Sequence, residues 1–197
     1  MKAATPENER ERLEALRHFK VLDTEPEEAF DDITRLASYI CQTPSALISL
    51  VDADRQWFKS RVGFEPQETS RDLSFCAHAI LQPGPTVVRD TLDDERFKDN
   101  PLVLSAPYIR FYAGAPLVST EGFRLGTLCV LDNVPRMLFP DQNHALQMLS
   151  HQVMTLLDMR RTIAYLESAL NERRAHAEEL EGQLRRLKRT EERRTED

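Results

Sequence analysis

A heptad repeat near the C-terminus constrains this chain more than any other feature. From residue 139 to about residue 193 the sequence holds no internal proline, since Pro140 stands at its start, and one glycine, Gly182, which predicts a single long helix. Apolar residues recur along it in alternating steps of three and four, as in a coiled coil. The predicted core positions are Leu156, Met159, Ile163, Leu166, Leu170, Arg173, Ala177, Leu180, Leu184 and Leu187.

Such a stripe needs a partner helix to cover it, and a second copy of the same helix is the simplest one. We therefore predict a parallel homodimer joined by a coiled coil over residues 156–197. Arg173 would stand at a core position beside the small Ala177. There it would lower the stability of the dimer while helping to fix its register, although its long stem can reach outwards.

The middle of the chain predicts an antiparallel sheet. Five stretches combine strand-forming residues with turn residues at their ends, at residues 45–52, 55–62, 86–90, 110–118 and 124–132. The tetrapeptide DADR between the first two implies a tight hairpin. Residues 6–42 are predicted to be helical, with Pro26 just inside the second helix. The chain thus divides into an N-terminal helical segment (1–24), a globular domain (25–155) and the coiled coil (156–197).

One strand is under-filled, because Ala113, Gly114 and Ala115 stand where bulky core residues are usual. The connection at residues 63–108 is rich in proline but carries apolar residues, among them Phe64, Leu102, Val103 and Leu104, so we interpret it as an ordered cover over one sheet face. Small residues beneath a cover predict a cavity. The candidate ligand-binding residues are Trp57, Phe75, Cys76, Phe97, Arg110, Tyr112 and Gly114.

Strand alternation places Arg110, Tyr112 and Gly114 on one face, which would suit an anionic or hydrogen-bonding ligand. A simpler alternative is that Arg110 pairs with a carboxylate, Asp90 or Asp99, and that the small residues only admit a helix. Similarly, Trp57 and Lys59 fit an exposed sheet edge as well as a pocket wall.

Three cysteines, Cys41, Cys76 and Cys129, lie far apart among apolar neighbours. This pattern predicts reduced, structural thiols whose pKa is raised by burial, and no disulfide framework or metal site. No residue is proposed as catalytic.

Charge and hydropathy narrow the class of protein. The net charge of −7 argues against nucleic acid as the main partner. No run approaches the roughly 20 apolar residues of a membrane span, and the N-terminus lacks the apolar core of a secretory signal. We expect a cytoplasmic protein.

Several motifs then resemble a known family. The strings FDDITRLASYICQTPSALISLVDADRQWFKSRVGF, SFCAHAI, DERFKDNPLV, IRFYAGAPL and LGTLCVLD follow one another in the order usual for bacterial GAF domains, over about residues 10–160. The resemblance implies an α+β fold with a central antiparallel sheet of five or six strands. It places the N- and C-terminal helices on one face and a ligand pocket under loops and short helices on the other.

The resemblance also implies a sensory role. Such domains are regulatory inputs of sensor histidine kinases, diguanylate cyclases and phosphodiesterases, and they are usually dimeric. The C-terminal RRLKRTEERRTED resembles the linker that precedes a PAS or catalytic output domain. We therefore expect a signal-transduction module, not an enzyme by itself, that acts on a kinase, PAS or GGDEF effector.

The sequence does not identify the ligand, and it leaves two alternative functions open. GAF domains that attach bilins use a Cys followed directly by His or an aromatic residue, whereas Ala77 separates Cys76 from His78 here, so a covalent bilin is not expected. Ser150 and His151 lack the acidic residue and proline that continue a histidine-kinase phosphoacceptor motif. The alternatives are an enzyme similar to free methionine sulfoxide reductases, which are GAF proteins, and a ligand-free dimerisation scaffold.

Overall fold

In the computed structural model, six strands form one antiparallel sheet. The structure describes the backbone of residues 2–195 and the side chains of residues 2–183. The strands are β1 (Ser45–Val51), β2 (Arg55–Val62), β3 (Glu68–Ser70), β4 (Thr86–Val88), β5 (Phe111–Val118) and β6 (Arg124–Asp132). Their order across the sheet is β3-β2-β1-β6-β5-β4. All five predicted strands are confirmed, and the short β3 is an addition at one edge.

The helices are α1 (Glu9–His18), α2 (Glu28–Cys41), α3 (Phe75–Ala79), α4 (Pro101–Leu104) and α5 (Pro140–Thr195), and Arg71–Leu73 form one turn of 3-10 helix. Pro26 precedes α2 instead of lying within it, since the N-cap is the extended Glu27. The helix ends at Cys41 and is capped by Gln42, whose φ of 54° turns the chain towards β1.

Helices α1, α2 and the first turns of α5 pack on one face of the sheet. Their apolar side chains, such as Phe30 and Leu146, meet Phe111, Ala113 and Ala115 of β5. Alternation along β5 sends these odd-numbered residues to the helices. The small Ala113 and Ala115 thus lie under helices, as one of the two sequence interpretations proposed.

The connection between β2 and β5 covers the opposite face. Phe75, Phe97 and Val103 are buried there against residues of β1, β5 and β6. The side-chain amide of Asn100 donates to Leu73 O at 2.9 Å and joins two parts of this connection. The predicted ordered cover is confirmed, but Leu104 is 58% exposed and does not contribute to it.

The chain divides after Asp158 into two compact units. In the second unit, predicted core positions of the coiled coil are exposed in the single chain, and Met159, Ile163, Leu166, Leu170 and Leu180 are each more than half exposed. The side chains of Leu184 and Leu187 lie outside the described residues. Among the helices of the described part, none is both long and apolar enough to cross a membrane.

Candidate functional site

The candidate site is built on the cover face of the sheet, where four neighbouring strand positions carry small or polar residues. In the β5–β6 pair Gly114 lies opposite Cys129, and in the β1–β6 pair Ser49 lies opposite Thr127. Tyr112 precedes Gly114 by two residues and therefore shares its face. A sheet face that buries apolar side chains over most of its area thus becomes polar at its centre.

The ring of Tyr112 lies across Gly114. A Cβ atom added at Gly114 would stand 2.2 Å from Tyr112 Oη and 2.7 Å from Cζ, distances that are too short for real contacts. Only glycine leaves room for this placement of the ring, and Tyr112 is fully buried. The space that we predicted as a cavity beside Gly114 is therefore occupied by the tyrosine ring, which corrects that prediction.

Hydrogen bonds converge on the sulfur of Cys76. Thr127 Oγ1 donates to Cys76 Sγ at 3.0 Å, and Tyr112 Oη donates to it at 3.6 Å. Cys129 Sγ lies 3.8 Å from the same sulfur. The buried hydroxyl of Ser49 has no hydrogen-bond partner in the described part of the chain, so it is available to stabilise charge on this sulfur. We call these five residues the thiol cluster.

Helix α3 brings Cys76 to the sheet. Its N-cap is Ser74, whose Oγ accepts a hydrogen bond from the Ala77 N–H at 2.9 Å and in turn donates to Gln56 Oε1 of β2. Capping by a serine hydroxyl satisfies one of the free N–H groups at a helix start. The side chain that follows, Phe75, stacks on Tyr112 with ring centroids 5.4 Å apart. The segment SFCA is thus held to the sheet by a cap and by a ring contact.

Aromatic rings enclose the cluster on the cover side. Phe75 and Phe97 have ring centroids 4.5 Å apart, and His78 meets Phe97 edge-on at 4.9 Å. The Arg96 guanidinium lies over the ring of Phe97, with Cζ 4.9 Å from the ring centroid. The result is an apolar wall with a cationic group at its rim.

The two thiols of the cluster differ in acidity. Burial raises the pKa of Cys76, but hydrogen bonds from Cys129, Thr127 and Tyr112, together with the nearby Ser49 hydroxyl, outweigh it, and the net pKa lies below its usual value. The pKa of Cys129 is raised by its hydrogen bond to Cys76 and by burial. Burial likewise raises the pKa of Cys41 to about 11. The prediction of raised thiol pKa values therefore holds for Cys41 and Cys129 and is wrong for Cys76, because hydroxyl donors surround it.

Burial also governs the phenol of the cluster. The pKa of Tyr112 is raised well above its usual value, first by burial and then by the proximity of Cys76 and Cys129. The phenol therefore stays protonated and acts as a hydrogen-bond donor towards Cys76.

Five of the predicted site residues come together, namely Phe75, Cys76, Phe97, Tyr112 and Gly114, and two do not. Arg110 forms a bidentate ion pair with Asp90, with Nε to Oδ1 at 2.8 Å, as the simpler alternative proposed.

Trp57 is buried on the helix face, on the far side of the sheet from the cluster. Its neighbour Lys59 is also buried there, with Nζ 2.6 Å from Glu27 Oε1. Neither forms an exposed edge.

Sequence reasoning missed Ser49 and Thr127. Thr127 could have been predicted from the sequence, since Thr127 lies two residues before Cys129 on the same strand and so on the same face. Ser49 required the pairing of β1 with β6, which no local pattern specifies.

A surface cleft of about 420 Å³ lies elsewhere, between the N-terminal segment and the β3 edge of the sheet. Its lining includes Lys2, Glu9, Arg71 and Asp72, and none of the predicted ligand residues. Arg71 donates to Glu9 at 2.5 Å, which connects the two walls. The cleft is thus separate from the thiol cluster.

The profile of the GAF domain family matches residues 25–182. The chain belongs to this family. It is 41% identical over 163 residues to a cyclic di-GMP phosphodiesterase of Pseudomonas aeruginosa, a match that covers 82% of this chain and 28% of that protein. The chain therefore spans little more than a quarter of this curated relative.

Solved structures show the same fold at low sequence identity. The GAF domain of an Acinetobacter phosphoenolpyruvate-protein phosphotransferase superposes with a TM-score of 0.57 at 15% identity, covering 79% of this chain and 98% of that one. A type II free methionine-R-sulfoxide reductase of Thermoplasma acidophilum superposes with a TM-score of 0.52 at 11% identity, covering 66% and 92%. The second likeness concerns the fold alone.

Proposed function

We propose that this chain is the sensory input module of a cytoplasmic signalling protein. In this proposal a small ligand binds beneath the cover, and a parallel coiled-coil dimer transmits its occupancy to an effector of the kinase, PAS or GGDEF type. The proposal rests on the match of the chain to the GAF domain family, combined with the finding that the chain covers only 28% of its curated relative. A regulatory module attached to a larger enzyme would give this pattern.

The thiol cluster is the best candidate for the ligand site. Its aromatic wall offers stacking surfaces, and its hydroxyls offer hydrogen-bond donors and acceptors. Because Tyr112 occupies the space over Gly114, a ligand would have to displace the ring. That movement would also release Phe75, which stacks on the ring, and so would couple ligand binding to α3.

Native mass spectrometry of the chain purified from its own host tests this part. We expect a dimer with a retained small molecule in the wild type. In Gly114→Leu the dimer should persist without the molecule, because the larger side chain takes the space that the ligand needs. Retention of the molecule by Gly114→Leu would contradict the location of the site, and a wild-type dimer free of any added mass would favour the scaffold alternative.

The exposed apolar stripe of α5 supports the dimer. We expect Leu166→Glu to weaken it, since a carboxylate at a core position of a coiled coil must be buried or pushed aside. Ser168→Glu is the matched control, because residue 168 lies at a non-core position of the same heptad. Sedimentation velocity over a concentration series should show dissociation for the first variant only. Equal association of both variants would rule out this interface.

Arg173 provides a further test of the register. Replacing it by leucine should make the dimer more stable, because the two guanidinium groups near the seam are removed. Thermal melting should rise, and dissociation should shift to lower concentration. Unchanged melting and dissociation would place residue 173 outside the interface.

The sulfoxide reductase alternative requires a reactive thiol that a substrate can reach. Cys76 and Cys129 are both buried beneath the cover, with 1% and 0% of their surface exposed. We therefore expect no consumption of methionine sulfoxide in the presence of a thiol reductant. Turnover that is lost in Cys76→Ser would establish the enzyme function instead.

A further inference from the structure

Two cysteines from distant parts of the chain meet in the thiol cluster. Cys76 belongs to α3 and Cys129 to β6, 53 positions apart in sequence, yet their sulfur atoms lie 3.8 Å apart. The third cysteine, Cys41, lies on the helix face among a separate group of apolar residues. The protein thus has one close dithiol and one isolated buried thiol, which serves as an internal control.

The surroundings of the pair suit a redox reaction. The sulfur of Cys76 accepts hydrogen bonds from Thr127 and Tyr112, and the Ser49 hydroxyl is buried without a partner among the described residues. Donors aimed at a sulfur stabilise its thiolate, and the thiolate is the form that attacks an oxidant. Cys129 stands beside Cys76 as a neutral thiol, where a resolving cysteine would need to be.

We propose that Cys76 and Cys129 form a peroxide-oxidisable dithiol whose disulfide fastens α3 to β6. This inference goes beyond the proposed ligand-sensing function and does not depend on it. Closing the bond requires the sulfur atoms to approach from 3.8 Å to about 2.05 Å, a movement within reach of side-chain rotation and a small shift of α3.

The chemistry balances with a hydroperoxide as the oxidant. The Cys76 thiolate attacks one peroxide oxygen, the O–O bond breaks, and Cys76 becomes a sulfenic acid while hydroxide leaves and is protonated to water. The Cys129 thiol then attacks the sulfenic sulfur, its proton leaves with the hydroxyl group as a second water, and the disulfide forms. Overall, two thiols and one hydrogen peroxide give one disulfide and two waters. An external dithiol reverses the reaction by exchange.

Burial selects the oxidant by size. Both sulfurs are closed off by the cover, so hydrogen peroxide, with two heavy atoms, can reach them through small openings of α3. A maleimide or a methionine sulfoxide requires a much larger opening. We therefore expect native Cys76 to be oxidised readily by peroxide and alkylated slowly by maleimide, a combination that an exposed reactive thiol does not show.

The test is peptide mapping of the wild-type chain after treatment with hydrogen peroxide, with the remaining thiols alkylated under denaturing conditions. The expected result is a linked pair of peptides containing Cys76 and Cys129, formed at least about tenfold faster than any oxidation of Cys41. A dithiol reductant should return both peptides to the free state. Oxidation of Cys41 first, or of Cys76 to a sulfinic acid without linkage, would overturn the proposal.

Three variants identify the order of events. In Cys129→Ser, Cys76 should stop at a sulfenic acid, which dimedone traps when the oxidised protein is denatured in its presence, whereas in Cys76→Ser no linked product or dimedone adduct should form. Cys41→Ser should behave as the wild type does. A dimedone adduct on Cys129 in Cys76→Ser would reverse the roles and overturn the assignment. If a serine variant does not fold, the peptide map of the wild-type chain still tests the proposal.

A second readout follows the consequence for α3. Hydrogen exchange of residues 71–82 should slow in the oxidised protein, since the disulfide holds this segment to the sheet. Unchanged exchange in a fully linked sample would contradict the fastening role. Because these experiments use peroxide and no ligand, they can fail while the sensory proposal survives, and the reverse also holds.

Discussion

The two faces of the sheet differ in what fills them. The helix face buries a mainly apolar core between long helices and the odd-numbered residues of β5. The cover face is closed by helices of four and five residues and by turns, and its centre holds two thiols, two hydroxyls and a tyrosine folded over a glycine. The same sheet thus supports two cores of different chemistry.

The difference separates stability from function. Long helices that bury large apolar side chains open only with the whole domain, whereas short elements joined by turns can open locally at lower free energy. A polar cluster under such a cover can respond to a small molecule or an oxidant without unfolding the helix face. We therefore expect mutations on the two faces to have different signatures.

The largest effect should come from the helix face. Phe111→Ala removes a fully buried ring of that core and should reduce the free energy of unfolding by about 3–5 kcal/mol. Urea denaturation measures the change. Phe97→Ala, a similarly buried ring of the cover, should cost less, because the short elements around it can settle into the space. Equal losses of unfolding free energy in the two variants would show that the two faces of the sheet do not differ in this way.

A smaller effect is expected at the centre of the cover face. Gly114→Ala places a methyl group against the Tyr112 ring and should cost about 1–3 kcal/mol of unfolding free energy. Tyr112→Leu removes the ring that clashes, so the same glycine substitution should cost less in that background. A double-mutant cycle measures the coupling. Additive costs would mean that the ring is not what requires glycine.

The smallest effect is expected at the edge of the cover, in the Asp90–Arg110 pair. The hydrogen bond from Arg110 holds the pKa of Asp90 below its usual value. A lowered folded-state pKa stabilises the protein above the unfolded pKa, near 3.9, and the contribution disappears as the pH falls through the folded value. Asp90→Asn should therefore lower the folding equilibrium constant at neutral pH by less than about fivefold.

Measuring stability against pH separates this pair from the buried cluster. The difference between Asp90→Asn and the wild type should vanish in acid, where the wild-type carboxyl is protonated. A loss at neutral pH as large as that of Gly114→Ala would show that the edge of the cover is as closely packed as its centre.

Local periodicity determined much of the fold from the sequence alone. Alternation along a strand and heptad spacing along a helix depend only on neighbours in the chain, so the residue pattern suffices to identify the five main strands, the long α5 and the apolar residues of the cover. The same alternation placed Tyr112 and Gly114 on one face, because side chains of a strand point to opposite sides in turn.

Contacts between distant segments were decided only by the tertiary structure. The pairing of β1 with β2 shifts register between Ile48 and Ser49, so that β2 has one extra residue at that point. Trp57 and Lys59 of β2 both pack on the helix face of the sheet. The Tyr112 ring occupies the space over Gly114, two residues away, because packing selects the side-chain rotamer that places it there.

The approach of Cys76 to Cys129 depends in the same way on how α3 packs on β6. Apolar flanks correctly marked both thiols as buried, but burial alone raises a thiol pKa. The hydroxyl donors that lower the pKa of Cys76 come from β1, β5 and β6, and only the folded sheet brings those three strands together around one sulfur.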